Sequence, residues 1–489
     1  MTDRFILVLD EGTTSTRAML YAPDGTVVAS KGQELDQFYP QPGWVEHDAT
    51  QIWERTLACA RAVIERAGGA DRIAAIGITN QRETVVAWDK VNGQPICNAI
   101  VWQDRRTADQ CEALKAGGHE TEVQRRTGLL LDPYFSGTKM RWILDNIPAA
   151  AALGERLTFG TIESWLVWKL TGGLHISDAS NASRTMLLGL TGASWDDGLA
   201  DLIGVPLSAL PQVVDTSGQF GTTSPDLFGA AIPICGLVGD QQSATIGQGC
   251  LSPGETKATF GTGAFILSNM GTTVPASTHR LLGTVLCQTG GERHYALEGS
   301  VFVAGSAIKW LRDSLGLIGS AADSEALARS VSDNGGVVFV PALAGLGAPH
   351  WKADATGAIS GLTLGSTKAH LARAALESMA YQCHDLATAF AADGAGWDRL
   401  RIDGGMSAND WMAQDLADML DLPVERPADV ETTALGAAML ASVGAGLYHD
   451  LEAAKAMRSE VRAFTPDMAD CDRDARLGQW QDALAKVIG

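Results

Sequence analysis

At 489 residues, 46% of them hydrophobic and 19% charged, the chain exceeds what one hydrophobic core ordinarily organises, so two globular domains are expected. Its formal net charge of -20 disfavours nucleic acid or an anionic membrane surface as a partner, because either polyanion would be repelled. The eight cysteines lack the spacing of a zinc cage or a disulfide framework, and no apolar run is long enough to insert into a membrane, so a cytoplasmic protein with reduced thiols is expected.

The chain opens on a buried strand, Phe5 to Leu9, and the turn signal Tyr21-Ala-Pro-Asp-Gly25 lets a second strand return antiparallel. Between them lies Asp10-Glu-Gly-Thr-Thr-Ser-Thr-Arg17. Its glycine permits close backbone approach, its hydroxyls donate, and its arginine supplies a planar charged fork, as a phosphate tail requires; a polar hairpin tip is an equal alternative. From Asp48 to Gly68 the residues Ile52, Trp53, Leu57, Val63 and Ile64 keep helical spacing, with Asp48 or Thr50 as cap and Gly68-Gly69 as stop. The apolar strand Ile73 to Ile78 then delivers Asn80-Gln-Arg-Glu83 at its carboxyl end, where open α/β sheets place ligands.

Arg82 and Glu83 together offer a donor fork and an acceptor pair, which suits a neutral polyol, although adjacent opposite charges also make ordinary surface pairs. Ala99 to Trp102 is a further strand-like run, and Tyr134 follows Asp132-Pro133; an indole and a phenol can wall a small pocket or simply fill a core. Ile162 to Leu170 reads as a short buried helix. The polar stretches His175-Ile-Ser-Asp178 and Asn181-Ala-Ser-Arg-Thr185 have no assignment from their residues alone.

Ile232 to Val238 leads into Gly239-Asp-Gln-Gln-Ser243, where the acid is either a turn residue or a base, and Gly247-Gln-Gly249 with Ser252-Pro-Gly254 marks a domain boundary. Lys257-Ala-Thr-Phe-Gly-Thr-Gly263 runs into Ala264-Phe-Ile-Leu267 as a strand, a glycine-bracketed threonine and a strand, like the first loop. Leu400 to Gly405 is a strand breaking on two glycines, with Asn409 capping a helix from Asp410 to Asp421. The helical patterns Leu371 to Phe390 and Thr433 to Ala441 read as core without chemistry of their own. Neither glycine loop has the G-x-x-x-x-G-K-[ST] pattern, and the protein-kinase motifs are absent.

Together these motifs resemble the family of carbohydrate kinases built on the actin-like, ribonuclease-H-like duplicated fold, and within it the members that phosphorylate glycerol. The likeness covers nearly the whole chain. Asp10 to Arg17 resembles the family's first phosphate loop, Phe260-Gly-Thr-Gly263 the second, and Asp403-Gly-Gly-Met-Ser-Ala-Asn409 the adenosine motif. Asn80-Gln-Arg-Glu-Thr84, Trp102-Gln-Asp-Arg-Arg106 and Gly239-Asp-Gln-Gln242 are similar to the glycerol-binding segments.

The resemblance implies two α/β domains, 1–247 and 248–489, around an interdomain cleft for ATP and substrate, in a homo-oligomer (a dimer or a tetramer). It implies ATP-dependent phosphorylation of glycerol to sn-glycerol 3-phosphate and ADP, with Asp240 as general base. Arg82, Glu83, Tyr134, Asp240 and Gln241 would hold the hydroxyls, and Trp102 and Phe265 would pack on the carbon edge. Thr13, Thr14, Ser15, Arg17, Thr262, Gly305, Gly405 and Asn409 would contact the nucleotide, and Asp10 would hold Mg2+, through water. Two departures stand out. Lys309 replaces a glutamine near the nucleotide, and Gly229-Ala-Ala231 replaces a glycine-rich loop carrying an arginine, so weak inhibition by fructose 1,6-bisphosphate is expected. A kinase of a longer polyol or pentulose, or a non-enzymatic actin-like nucleotide switch, is the alternative.

Overall fold

The computed structural model describes residues 4–352 and 354–489. In the first half six strands form one sheet in the order Ser217–Thr222, Pro233–Gly239, Ile73–Asn80, Phe5–Glu11, Ser15–Tyr21 and Val27–Glu34. Phe5–Glu11, Ser15–Tyr21 and Val27–Glu34 follow one another antiparallel. Ile73–Asn80 and Pro233–Gly239 then add parallel on the other side, each of which needs a crossover through the body of the chain. Helix Ala49–Ala67 makes the first crossover; Asp48 accepts from the Thr50 amide at 2.8 Å as its cap, and Gly68 closes it in the left-handed region at φ 90°.

The second half repeats this plan in a seven-stranded sheet ordered Leu282–Thr289, Glu292–Val301, Ala264–Gly271, Thr256–Phe260, Leu400–Asp403, Val424–Pro427 and Val461–Phe464. Again a hairpin opens the sheet, and Leu400–Asp403 adds parallel beside its first strand after the long helix Lys368–Ala392. In both halves the parallel strands end at the hairpin side, so the glycine turns and the carboxyl ends of the central strands lie together.

Side chains alternate across the first sheet with the period of two that pleating imposes. Leu7 and Leu9 join Ile52, Val63 and Trp165 in one core, while Ile6 and Val8 face the other way into a second core. That second core also contains Leu267 and Ala296 of the second sheet and Ala434, Ala437, Ala438 and Ala441 of helix Thr432–Gly444. One apolar core is therefore shared by both sheets, and a helix late in the chain occupies its middle.

One sequence expectation holds with a consequence for the site, and another changes. The helix anticipated as plain core, Thr432–Gly444, packs against the first sheet and against helix Asp240–Gly247, so it sets where Asp240 stands. The run Ala99 to Trp102 keeps only a two-residue strand, Ala99–Ile100, paired with Glu46–His47. Beyond it the chain turns because Asp104 accepts the Val45 amide at 2.6 Å and the Arg106 guanidinium at 2.9 Å, side-chain bonds that compete with a ladder. The eight thiols are free, and none of the described helices is long and apolar enough to cross a membrane.

The crossing of helices Asp240–Gly247 and Thr432–Gly444 is made backbone to backbone. A Cβ at Gly436 would lie 1.9 Å from the Ser243 carbonyl oxygen, and one at Gly247 would lie 2.0 Å from that of Thr432. Gly436→Ala is therefore expected to force the helices apart and to destabilise the protein by about 3 kcal/mol, lowering both the melting temperature and turnover. Gly478→Ala, in helix Asp470–Ile488 where an added Cβ meets nothing within 4 Å, should hold or raise the melting temperature and serves as the control.

Candidate active site between the two sheets

The first hairpin is tighter than the sequence suggests, because its strands extend through Glu11 and from Ser15 and leave only Gly12 to Thr14 as the turn. The Gly12 amide donates to the Ser15 carbonyl at 3.0 Å, and Thr14 stays exposed. Thr13 accepts from the indole N–H of Trp102 at 2.9 Å, so the first hairpin turn is joined directly to that aromatic residue. Asp10 lies opposite Arg17 in register, and the Arg17 fork reaches both Asp10 at 3.0 Å and Glu431 at 2.6 Å. This guanidinium nitrogen is thus engaged by two carboxylates, one of them at the start of helix Thr432–Gly444. Burial pushes the Asp10 carboxyl above its ordinary range, against the pull of Arg17.

The second hairpin places Thr262 in the open and ties its carbonyl to the amides of Ala304 and Ser306, each at 3.0 Å. Gly305 therefore starts helix Gly305–Asp313 against the turn, its amide donating to the Gly261 carbonyl at 3.0 Å. Lys309 is exposed on that helix. Gly405 is also exposed, and a Cβ there would meet nothing within 4 Å. Asn409 is buried as the cap of helix Asp410–Leu420, accepting from Met412 at 2.9 Å, with its amide directed to Ser324 at 3.4 Å.

Between the hairpins lies a sealed charge cluster. Arg82 is 3% exposed and gives a bidentate pair to Glu298, at 2.6 and 3.0 Å. Arg184 donates to Glu83 at 2.6 Å and to Glu298 at 3.1 Å, and its ring-side contacts are Tyr134 and Phe135. Tyr134 accepts from Arg82 at 3.4 Å. Glu83 holds a positive φ of 63°, a conformation unfavourable for a side chain of its size and found where surrounding contacts enforce it. Burial raises the Glu83 carboxyl pKa against the lowering effect of Arg184 and Arg82.

Aromatic edges close one side. The Trp102 ring meets Tyr134 at 5.6 Å and 67°, and Phe265 at 6.2 Å and 76°, both edge-on arrangements. Asp240 begins helix Asp240–Gly247, where a carboxylate is favoured by the exposed amides. It stands 3.3 Å from the Arg82 Nε and keeps 29% side-chain exposure where Arg82 keeps 2%. It is the open acid of an otherwise closed group. Burial raises its carboxyl pKa, while Arg82 and Lys257 pull it down. The next residue, Gln241, accepts from the Lys257 ammonium at 2.5 Å, and burial lowers that lysine to about 8.

The structure thus brings Asp240, Gln241, Arg82, Glu83, Tyr134, Trp102 and Phe265 into one contiguous site, and Trp102 links it to Thr13. Three members were missed from sequence. Arg184 lay in the unassigned stretch Asn181 to Thr185, Lys257 stood at the start of the second hairpin, and Glu298 sits inside Tyr295-Ala-Leu-Glu-Gly-Ser-Val301. A charged residue interrupting an apolar strand was the available signal in that last case, since such a group is rarely buried without a partner. Among the described residues no group of three or more His, Cys, Asp or Glu side chains suits a metal ion. Mg2+ commonly keeps its waters and uses one or two carboxylates with substrate phosphates; Asp10 beside the first hairpin offers one carboxylate, which in this structure is held by Arg17 at 3.0 Å.

The FGGY family of carbohydrate kinases matches the chain twice, its N-terminal domain over residues 5–247 and its C-terminal domain over residues 256–445. The glycerol kinase of Rhodospirillum centenum is 53% identical over 99% of this chain and 98% of its own, and that of Rhodospirillum rubrum is 51% identical over 99% of each. In three dimensions the chain is similar to the glycerol kinase of Plasmodium falciparum, solved with ADP, at a TM-score of 0.92 and 34% identity over 99% of this chain and 98% of that one. It is also similar to the xylulose kinase of Rhodospirillum rubrum, at 0.86 and 28% over 98% of each. With both of its halves matched, the chain belongs to the FGGY family of carbohydrate kinases.

Proposed function

We propose that this kinase transfers the γ-phosphoryl group of ATP to glycerol, giving sn-glycerol 3-phosphate and ADP. The observation that carries the reading is the position of Asp240: a part-exposed carboxylate 3.3 Å from the Arg82 of a sealed donor and acceptor cluster that also holds Tyr134, following a strand that ends at the side of the first glycine hairpin. Arg82, Glu83, Tyr134, Asp240 and Gln241 supply the polar contacts for three hydroxyls, and Trp102 and Phe265 supply an apolar wall for the carbon chain. The kinship with glycerol kinases supports the same substrate.

An alcohol is a weak nucleophile at neutral pH, so its proton must leave as the bond to phosphorus forms. Asp240 takes that proton while the bond from phosphorus to the ADP oxygen breaks. The remaining work is positioning and charge compensation on the transferred group. Thr13, Thr14, Ser15 and Arg17 on one hairpin, and Thr262 with Gly305 on the other, would line the phosphate path, with Gly405 and Asn409 toward the base of the nucleotide. Arg17 would have to release Asp10 or Glu431 in part to reach it. Asp10 would hold Mg2+, which when bound neutralises charge on the phosphate oxygens. Residues 1–247 and 248–489 act in this reading as two domains that close around the substrates and exclude water as a competing acceptor. A cytoplasmic homo-oligomer, where ATP is supplied and thiols stay reduced, completes it.

Coupled measurement of ADP release with glycerol, longer polyols and pentuloses tests the assignment; glycerol is expected to give by far the highest kcat/KM, and a pentulose preference would overturn it. Asp240→Asn should lower kcat about 1000-fold while the dissociation constants for glycerol and ATP change little. Arg82→Ala should raise the glycerol KM about tenfold or more and leave the ATP KM nearly unchanged, as steady-state titration of each substrate would show. Because burial raises the Asp240 carboxyl, the acid limb of kcat/KM is expected above the ordinary aspartate range: activity is full while Asp240 is ionised and falls as pH drops through that raised value.

A further inference from the structure

Glu298 has no role in the assignments above, yet it is bound by both arginines of the site. It is wholly buried and reaches the pocket from strand Glu292–Val301 of the second sheet, whereas Arg82, Glu83 and Arg184 belong to the first half. Its two oxygens accept both terminal nitrogens of Arg82, and one of them also accepts Arg184. Gln242 and Tyr134 take further contacts of the same Arg82 nitrogens, at 3.3 and 3.4 Å. The remaining nitrogen of Arg82, Nε, has no hydrogen bond to Glu298 and faces two acids as ion contacts, Asp240 at 3.3 Å and Glu83 at 4.0 Å.

We propose that Glu298 is a positioning residue: by engaging the Arg82 fork from behind, it keeps that guanidinium from closing on Asp240, and so leaves the Asp240 carboxylate available to accept the proton of the substrate hydroxyl. The inference rests on the reading of Asp240 as base. A carboxylate paired bidentately with arginine is a poor proton acceptor, because the pairing stabilises its charged form. Arg82 and Arg184 balance Glu83 and Glu298, which leaves Asp240 to face Lys257 from strand Thr256–Phe260, with Asp403 beyond that lysine. Remove Glu298 and the balance fails in a sealed site: of the two acids left beside Arg82, Glu83 is held by Arg184 at 2.6 Å, and the other is the base. Burial alone would raise the Glu298 carboxyl, but Arg184 and Arg82 hold it at about 2, so it remains an anion across the working pH range.

The test uses the full chain with Glu298→Gln, Glu298→Asp and the charge-balanced double variant Glu298→Gln/Arg184→Gln, each followed by kcat, both KM values and the pH dependence of kcat. Glu298→Gln is expected to lower kcat about tenfold or more and to move the acid limb roughly one pH unit downward, since Asp240 drawn onto Arg82 becomes a weaker base, while the ATP KM stays within about twofold. Glu298→Asp should keep the acid limb near its normal position and recover part of kcat. Should Glu298→Gln fail to fold, the double variant decides: with Arg184 gone Glu83 shares Arg82 with Asp240, so a smaller downward move of the limb with kcat still lowered is expected, and an unmoved limb with normal kcat overturns the proposal. A lowered melting temperature with the acid limb and kcat unmoved would overturn the proposal. Loss of the base reading itself is separately visible, as near-normal turnover by Asp240→Asn.

Discussion

The site depends on an ion pair formed across the two halves of the chain, the bidentate contact of Arg82 with Glu298. Removing charges from water is costly, and a buried arginine is tolerable only when its forks meet carboxylates in good geometry. Here two arginines and two glutamates pair with one another with almost no exposure, and one Arg184 nitrogen, Nη1, is left without a hydrogen-bond partner. The consequence is positional. A guanidinium held from behind by two oxygens cannot rotate freely, so Nε, the tyrosine hydroxyl and the neighbouring acids stand where a small polyol would find both donors and acceptors.

Around this cluster the chain uses one structural idea twice. Each sheet begins with a hairpin whose turn is short and rich in glycine and hydroxyl groups, and each then adds parallel strands that end on the same side. Backbone amides and small hydroxyls at two facing turns suit a phosphate chain without a P-loop. The halves are kept in register by helix Thr432–Gly444, whose alanines fill a core common to both sheets and whose Gly436 lets helix Asp240–Gly247 approach to backbone contact. The position of Asp240 is therefore set by apolar packing, and its protonation is biased by burial and by the charges of Arg82 and Lys257. Glu431 at the start of the same helix also meets Arg17, so the first phosphate turn is tied to the same element.

Much of this was legible in the residues. The strand at Phe5, the helix capped by Asp48, the break at Gly404-Gly405 and the glycine-bracketed Thr262 all follow local rules of pattern and capping, and the structure has elements at those places. Local rules failed where long-range contacts prevailed. The run at Ala99 is short because Asp104 binds Val45; the helix read as core is core, but that it packs against the helix of Asp240 was not legible locally. No spacing in the sequence joins Asp240 to Arg82 and Tyr134; at that level only the family likeness does, because the three lie on segments far apart in the chain.

By itself the sequence determined the elements, the two glycine turns and the presence of an acid, an arginine and aromatic residues suited to a polyol kinase, because these follow from periodicity, turn chemistry and motif. Only the tertiary structure decided which charges meet. Arg82 and Glu298 are separated by 216 positions, and nothing local to a lone glutamate in an apolar strand names its partner. Burial makes that partner obligatory, since an unpaired charge there would be too costly to keep, but it is the packing of the two sheets about a shared core that selects it.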